Sequence, residues 1–306
     1  MTADAITSWT GCHGIRLGGE LLDIGRSSGD PIADAVVRVG AVPPPSGPEL
    51  WRLHGESDAG GVHRTVDRWL CRQDGSLVIH SNAGPALALD LETATVTIEP
   101  GDESLTLQLV ASFAVPLILN GCEALVLHAA TMAKDGRAVV VCGTSGTGKS
   151  SVLVRMVDAG WQALTEDVCA VDLRGDAAVA WPGPPWVRKA HGEPGPAGAA
   201  LRFDTPDKAA WDLAPSHAAG PVAVSRLVIL DPAGGDAPRW EQLSPAQAVR
   251  DLAQHAAWLR DPTEAPRHLF GLALALTKRV PVAHLRFPRN PAWLDDVPEL
   301  LASRLV

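Results

Sequence analysis

No two cysteines in this 306-residue chain have the C-x-x-C spacing of a zinc or dithiol site. Cys12, Cys71, Cys122, Cys142 and Cys169 are odd in number and scattered. They read as reduced thiols of a cytoplasmic protein, without a metal signature. Positive charge is also scarce. Lys and Arg total 26 against 35 Asp and Glu, a net charge of −9, so the overall field attracts neither nucleic acid nor an anionic membrane. Long apolar runs are missing as well. Residues 105–119 come nearest, but Thr106, Gln108, Ser112 and Pro116 leave the stretch too short and too polar to span a bilayer. Met1-Thr2-Ala3-Asp4-Ala5 has neither a basic n-region nor an apolar core, so no secretory signal is expected. Tyrosine is absent beside ten tryptophans, and nothing in the sequence accounts for that imbalance.

What is present is the composition of a globular protein, 46% hydrophobic and 20% charged. The length suits two domains, each able to bury a core. The first hundred or so residues alternate in short apolar segments, such as Ser76-Leu77-Val78-Ile79-His80 and Ala94-Thr95-Val96-Thr97-Ile98. Turn sequences separate them, Asn82-Ala83-Gly84-Pro85 and Glu99-Pro100-Gly101-Asp102 among them, which predicts a β-rich unit. Asp23, His54, His63 and His80 stand alone there and read as ordinary polar positions. The expected division is 1–115 for the β-rich domain and 116–306 for an α/β domain.

The second part holds Gly143-Thr144-Ser145-Gly146-Thr147-Gly148-Lys149-Ser150, a complete phosphate-binding loop. The β-branched run Ala138-Val139-Val140-Val141-Cys142 before it predicts a buried strand. Ser151 onward predicts a helix that ends at Gly160. Glycines let backbone N–H groups approach phosphate without a Cβ in the way, and a helix N-terminus favours negative charge. The pattern predicts that Lys149 reaches the outer phosphates of a nucleotide and that the Ser150 hydroxyl ligates Mg²⁺.

Further elements follow the same logic. Residues 105–119 are expected as a helix, Leu125-Val126-Leu127-His128-Ala129-Ala130 as a strand, and Lys134-Asp135-Gly136-Arg137 as a turn. After the loop helix, the paired acids Glu166-Asp167 precede an apolar strand. The Pro/Gly-rich stretch 181–196 is expected to be an extended, exposed loop carrying Arg188, Lys189 and His191. Arg188 and Lys189 are read either as grips on a phosphate or as solvated loop charges. Strands are expected at 224–230, ending at Asp231, and at 282–287. Helices are expected from the Ser244-Pro245 cap towards Trp258, from Glu264 to Lys278, and over 291–305. Asp172 is read as structural and Asp295-Asp296 as a solvent face.

The order His128, phosphate loop, Gly160, Glu166-Asp167 resembles the HPr kinase/phosphorylase family and its small serine-kinase relatives, some from lasso-peptide pathways. Trp181-Pro182-Gly183-Pro184-Pro185 is similar to the Pro-Gly-x-Pro turn of those small kinases. The resemblance covers about residues 125–189. It implies ATP- and Mg²⁺-dependent phosphorylation of a serine on a peptide or small protein. By the same resemblance, Glu166 is the base for the attacking hydroxyl, Asp167 and Ser150 are magnesium partners, and His128 and Lys149 belong to the catalytic set. Gly143 to Ser150, Ser151 and Arg188 would hold the nucleotide. The acid pair is Glu-Asp where the family usually has Asp-Asp, and the glycine- and asparagine-containing signature of the larger enzymes is absent. Self-association is also suggested, without a heptad to specify a number. Two other readings stay open, a kinase for a small-molecule hydroxyl and a nucleotide-dependent peptide binder without phosphotransfer.

Overall fold

A computed structural model describes residues 9–19, 31–59, 62–82, 84–205, 208–232, 237–257, 265–288 and 291–305. Asp23, Ala83, Trp258 and Glu264 lie outside the described residues, as do the side chains of His54 and His63.

The described residues form a mixed α/β protein with three sheets. The first is built from β1 (Trp9–Cys12), β2 (Ile15–Gly19), β3 (Ala33–Val39), β4 (Glu49–Ala59), β5 (Val62–Gln73), β6 (Ser76–Ser81), β7 (Leu87–Asp90) and β8 (Thr95–Ile98). Its order is β1-β2-β3-β8-β7-β6-β5-β4. Only β2–β3 and β3–β8 run parallel. Alternation puts Leu87 and Leu89 of β7, and Val96 and Ile98 of β8, wholly inside. That face is covered by α1 (Glu103–Leu109), a π-helical turn at Val110–Ala114, and α2 (Val115–Leu119). Asp102 caps α1 by accepting from the Leu105 N–H at 3.1 Å. The predicted helix over 105–119 is therefore present with one widened turn, and the expected boundary at 115/116 falls inside it. Val115 to Leu119 are all buried, as suits a helix apolar on every side.

The second sheet begins with β9 (Ala124–Lys134) and β10 (Arg137–Cys142). They are joined by an Asp135-Gly136 turn in which both residues have positive φ, +51° and +72°. Then come β11 (Gln162–Thr165), β12 (Val168–Asp172) and β13 (Val179–Ala180). A separate antiparallel sheet, β14 (Trp186–Ala190), β15 (Leu201–Asp204) and β16 (Lys208–Asp212), has the order β14-β16-β15. The main sheet resumes with β17 (Val222–Asp231), β18 (Arg239–Gln242) and β19 (Val282–Arg286). Pairings run β10-β9-β12-β13-β17 and return from β17 to β10, so five strands form a closed circuit. The loop strand β10 is thereby paired on both sides, and Ala138 to Cys142 are buried.

Helix α3 (Lys149–Asp158) follows β10 and buries Val152, Leu153 and Met156. Gly160, at φ +82°, ends it, and Trp161 N–H reaches back to Met156 O at 3.0 Å. Helix α4 (Pro245–Ala253) starts with a capping box between Ser244 and Gln247. Helix α5 (Ala265–Thr277) packs against it. The helix expected over 291–305 is instead a 3₁₀ turn, Pro291–Asp295, followed by α6 (Val297–Ala302), with Pro near its start. Asp231 ends β17, where the strand was expected to end, and pairs with Arg286 at 3.2 Å. Asp172 does the same with Arg174 at 2.8 Å.

All three sheets contribute to one core. Ala124, Val126, Val168, Ala170, Trp186 and Ala210 pack into the same buried cluster as the first sheet and α1–α2. Among the described residues, no helix is long and apolar enough to cross a membrane.

The 181–196 stretch corrects the sequence reading. Residues 190–194 are exposed and 191–196 form no strand, as expected, but residues 180–189 are all buried, and Trp186–Ala190 is a strand. The polar backbone before that strand is satisfied from afar. Pro182 O accepts from His13 N–H at 2.8 Å, Gly183 N–H donates to Leu164 O at 2.8 Å, and Pro185 O accepts from Leu213 N–H at 2.9 Å. The prolines keep residues 181–185 out of any ladder, while burial comes from distant partners.

Candidate functional site

The loop between β10 and α3 sits at the floor of a cleft of about 360 Å³. Its geometry depends on two glycines. A Cβ at Gly143 would lie 2.4 Å from Thr147 Oγ1, and Gly148 has φ +96°. Gly148 is the N-cap of α3 and supplies no side chain, so the first-turn N–H groups are uncapped by a side chain. Lys149 is 7% exposed and folds back on the loop, donating to Gly143 O at 2.8 Å and Thr144 O at 3.1 Å. Burial lowers its pKa against the opposing pull of Asp167 and Glu166.

The β9–β12 register brings the acids here. His128 lies opposite Val168, and Ala129 N–H donates to Asp167 O at 3.1 Å. The tight turn between β11 and β12 then presents Glu166 and Asp167 in different directions. Ser150 Oγ donates to Glu166 Oε1 at 2.6 Å, and Glu166 is 6% exposed. Asp167 turns towards His128 instead. His128 Nδ1 lies 3.0 Å from the Asp167 backbone O and 3.1 Å from Oδ1, so this nitrogen carries the hydrogen. Arg188 Nη2 donates to Asp167 Oδ2 at 2.6 Å, while its Nε lies 3.5 Å from Glu166 Oε2. Burial raises the Asp167 pKa, but Arg188 and His128 more than reverse this and hold the carboxyl well below the usual range.

The expected site residues therefore converge. Lys149, Ser150, Ser151, Gly146, Gly148, Ser145, His128, Glu166, Asp167 and Arg188 all line one cleft. Gly143, Thr144 and Thr147 shape the loop without lining it. Arg188 is not a solvated loop charge: it is 7% exposed, as is Lys189. Lys189 Nζ donates to Ser151 Oγ at 2.8 Å and pairs with Glu193 at 2.7 Å. Lys208, on β16, adds a fourth cation to the cleft wall. No local pattern around Lys208 marked it, because only the β14–β16 pairing carries it there.

His13 was also missed. It is 1% exposed, at the tip of the β1–β2 hairpin with φ +53°. It packs on Gly183, where a Cβ would fall 2.3 Å from its Cε1 and 2.6 Å from Thr165 Oγ1. Burial pushes its pKa down to about 3, with Asp167 only partly opposing. The sign of the linkage follows. Below the unfolded value near 6.5, the unfolded chain takes up a proton that the folded chain refuses. The stability is complete above that value and is lost as pH falls towards 3, by up to about 1.4 kcal/mol per pH unit. Thermal midpoints measured from pH 7 to 4 should fall, and should fall less steeply in His13→Gln. Equal slopes would show that His13 does not carry the effect.

No family model matches the chain, and no curated protein matches it. Among solved structures, it is similar to the HPr(Ser) kinase/phosphatase from Coxiella burnetii, with 14% identity and a TM-score of 0.33. The alignment covers 59% of this chain and 96% of that one. A likeness at that level fixes neither activity nor domain arrangement, and the chemistry is left to the cleft itself.

Proposed function

We propose that the chain is an ATP-dependent kinase of HPr-kinase type that phosphorylates a serine hydroxyl on a peptide or small protein, such as a ribosomally made peptide precursor. The observation that carries this reading is the 2.6 Å contact between Ser150 Oγ and Glu166. It lies in a cleft that also holds Lys149, Arg188, Lys189 and Lys208. A hydroxyl and a carboxylate together at a helix N-terminus suit a magnesium–nucleotide complex, since Mg²⁺ takes one or two protein carboxylates and fills its shell with phosphate oxygens and water. Among the described residues, no group of three or more His, Cys, Asp or Glu could form an all-protein cage. When bound, Mg²⁺ neutralises charge on the phosphates.

The geometry favours exchanging the expected roles of the two acids. Glu166, on Ser150, belongs to the metal side. Asp167, ionised and held by Arg188 and His128, is the group to orient the acceptor hydroxyl. The serine oxygen bonds to the γ-phosphorus as the bond to the bridging oxygen of ADP breaks, and the hydroxyl proton passes to Asp167 and then to solvent. A depressed pKa makes Asp167 a weak base but a fixed acceptor, which suits a loose transition state that needs positioning above all. The first sheet would help to hold the peptide.

Mass spectrometry after incubation with Mg-ATP and serine-containing peptides tests the reading. Asp167→Asn should lower kcat by on the order of 10²-fold or more with nucleotide affinity kept. Glu166→Gln should chiefly raise the Mg²⁺ concentration required. The opposite pattern would restore Glu166 as base. ATP binding without transfer to any peptide would favour the gated binder, and transfer only to a metabolite the small-molecule kinase.

A further inference from the structure

A second, smaller recess shares Glu166, Asp167 and Arg188 with the cleft. Its remaining polar lining is His13, Ser112 and Thr165. Thus the hairpin tip of the first sheet and the π-helical turn after α1 both reach the acid pair. The recess holds about 20 Å³, room for one water molecule and little more. Such a site binds water when two to four polar partners surround it, and here several converge. One of them is in need of a partner: His13 Nδ1 is buried and makes no hydrogen bond. Thr165 is already committed, its hydroxyl donating to Val168 O at 2.6 Å.

Three further contacts hold the hairpin tip and its imidazole in place. The His13 backbone N–H is fixed to Pro182 O at 2.8 Å, and Gly14 O accepts from Ile32 N–H at 2.7 Å. Gly183 leaves the space the ring occupies. Packing alone would be served by any flat side chain of that size. A buried imidazole nitrogen in a recess that two carboxylates also line calls for a polar partner.

We propose that this recess is a structural water site, and that His13 is a positioning residue that steadies the acid pair through that water. The water bridges His13 Nδ1 to a carboxylate oxygen of Glu166 or Asp167, tying the first sheet to the groups that act in the cleft. The water site stands on the recess alone, while the positioning role rests on the kinase reading given above.

A high-resolution crystal structure of the wild-type chain decides the site directly. An ordered water within hydrogen-bonding distance of His13 Nδ1 and an acid-pair oxygen is expected. A dry recess, or one filled by a side chain, would overturn the proposal whether or not the chain is a kinase. Kinetics decide the role. His13→Phe keeps the ring volume and removes both nitrogens; kcat should fall about tenfold, with KM for Mg-ATP within twofold of wild type. His13→Gln, which keeps a hydrogen-bonding group, should recover most of the lost rate. Equal kcat in all three would refute the positioning role, as would parallel changes in kcat and KM without rescue. If wild type transfers no phosphate, the kinase reading and the positioning role fail together, and the crystallographic result still settles the water site.

Discussion

Lys149→Ala is expected to abolish measurable phosphotransfer, lowering the rate by on the order of 10²–10³-fold or more, the usual loss when one preorganised charge-stabilising donor is removed. Lys149 is nearly buried and now donates to two carbonyls of its own loop. Binding of a polyphosphate must take the ammonium from those carbonyls, and the helix N-terminus behind it favours the exchange. The same substitution leaves Gly143 O without that donor, at a cost of about 1–3 kcal/mol, so folding must be checked by thermal unfolding. Isothermal titration with Mg-ATP and phosphopeptide mass spectrometry measure the two functions separately. Unchanged transfer by a folded Lys149→Ala protein would remove the loop from the chemistry.

The second large effect concerns Arg188. Its side chain is 8% exposed and lies between Asp167 and Glu166. Arg188→Ala would leave buried Glu166 and the partly exposed Asp167 without this cation; breaking a buried pair costs about 3–5 kcal/mol, an upper bound here because water reaches one of the two acids. At about 2–4 °C per kcal/mol for a domain of this size, the thermal midpoint should fall by as much as roughly 6–20 °C. Asp167 would lose its chief charge partner, and its pKa should climb back towards ordinary carboxylate values. Neutralising both acids in the same background, with Glu166→Gln and Asp167→Asn, should restore much of the lost stability. If Arg188→Ala unfolds at the wild-type temperature, water reaches both carboxylates and the pairing is not a buried one.

The parts of this site legible in sequence are those written in short-range pattern. A β-branched run, a glycine loop and a helix start lie within about twenty residues, and each is fixed by local backbone chemistry. The grouping of His128 with the acid pair was legible only through the family resemblance; the β9–β12 pairing that brings them together is not written in local pattern. Which acid meets Ser150 was not legible. Glu166 and Asp167 are neighbours in the chain, and only the turn between β11 and β12 decides which way each points. The misreading of 181–196 has the same origin. Proline and glycine mark residues 181–185 as lying outside a regular ladder, but whether they are exposed or covered depends on His13, Leu164 and Leu213. His13 and Lys208 carried no signal because their partners are far along the chain.

The core shared by the three sheets also has a consequence in time. The first sheet is complete once Ile98 has left the ribosome, and α1–α2 follow at once. The residues that finish its cover, Val168, Ala170, Trp186 and Ala210, emerge as many as a hundred or so positions later. At about 5–20 residues per second of synthesis, the nascent chain carries a partly bared apolar face for roughly 5–20 s. During that interval the growing polypeptide is at its stickiest, and a chaperone has most to gain by holding it.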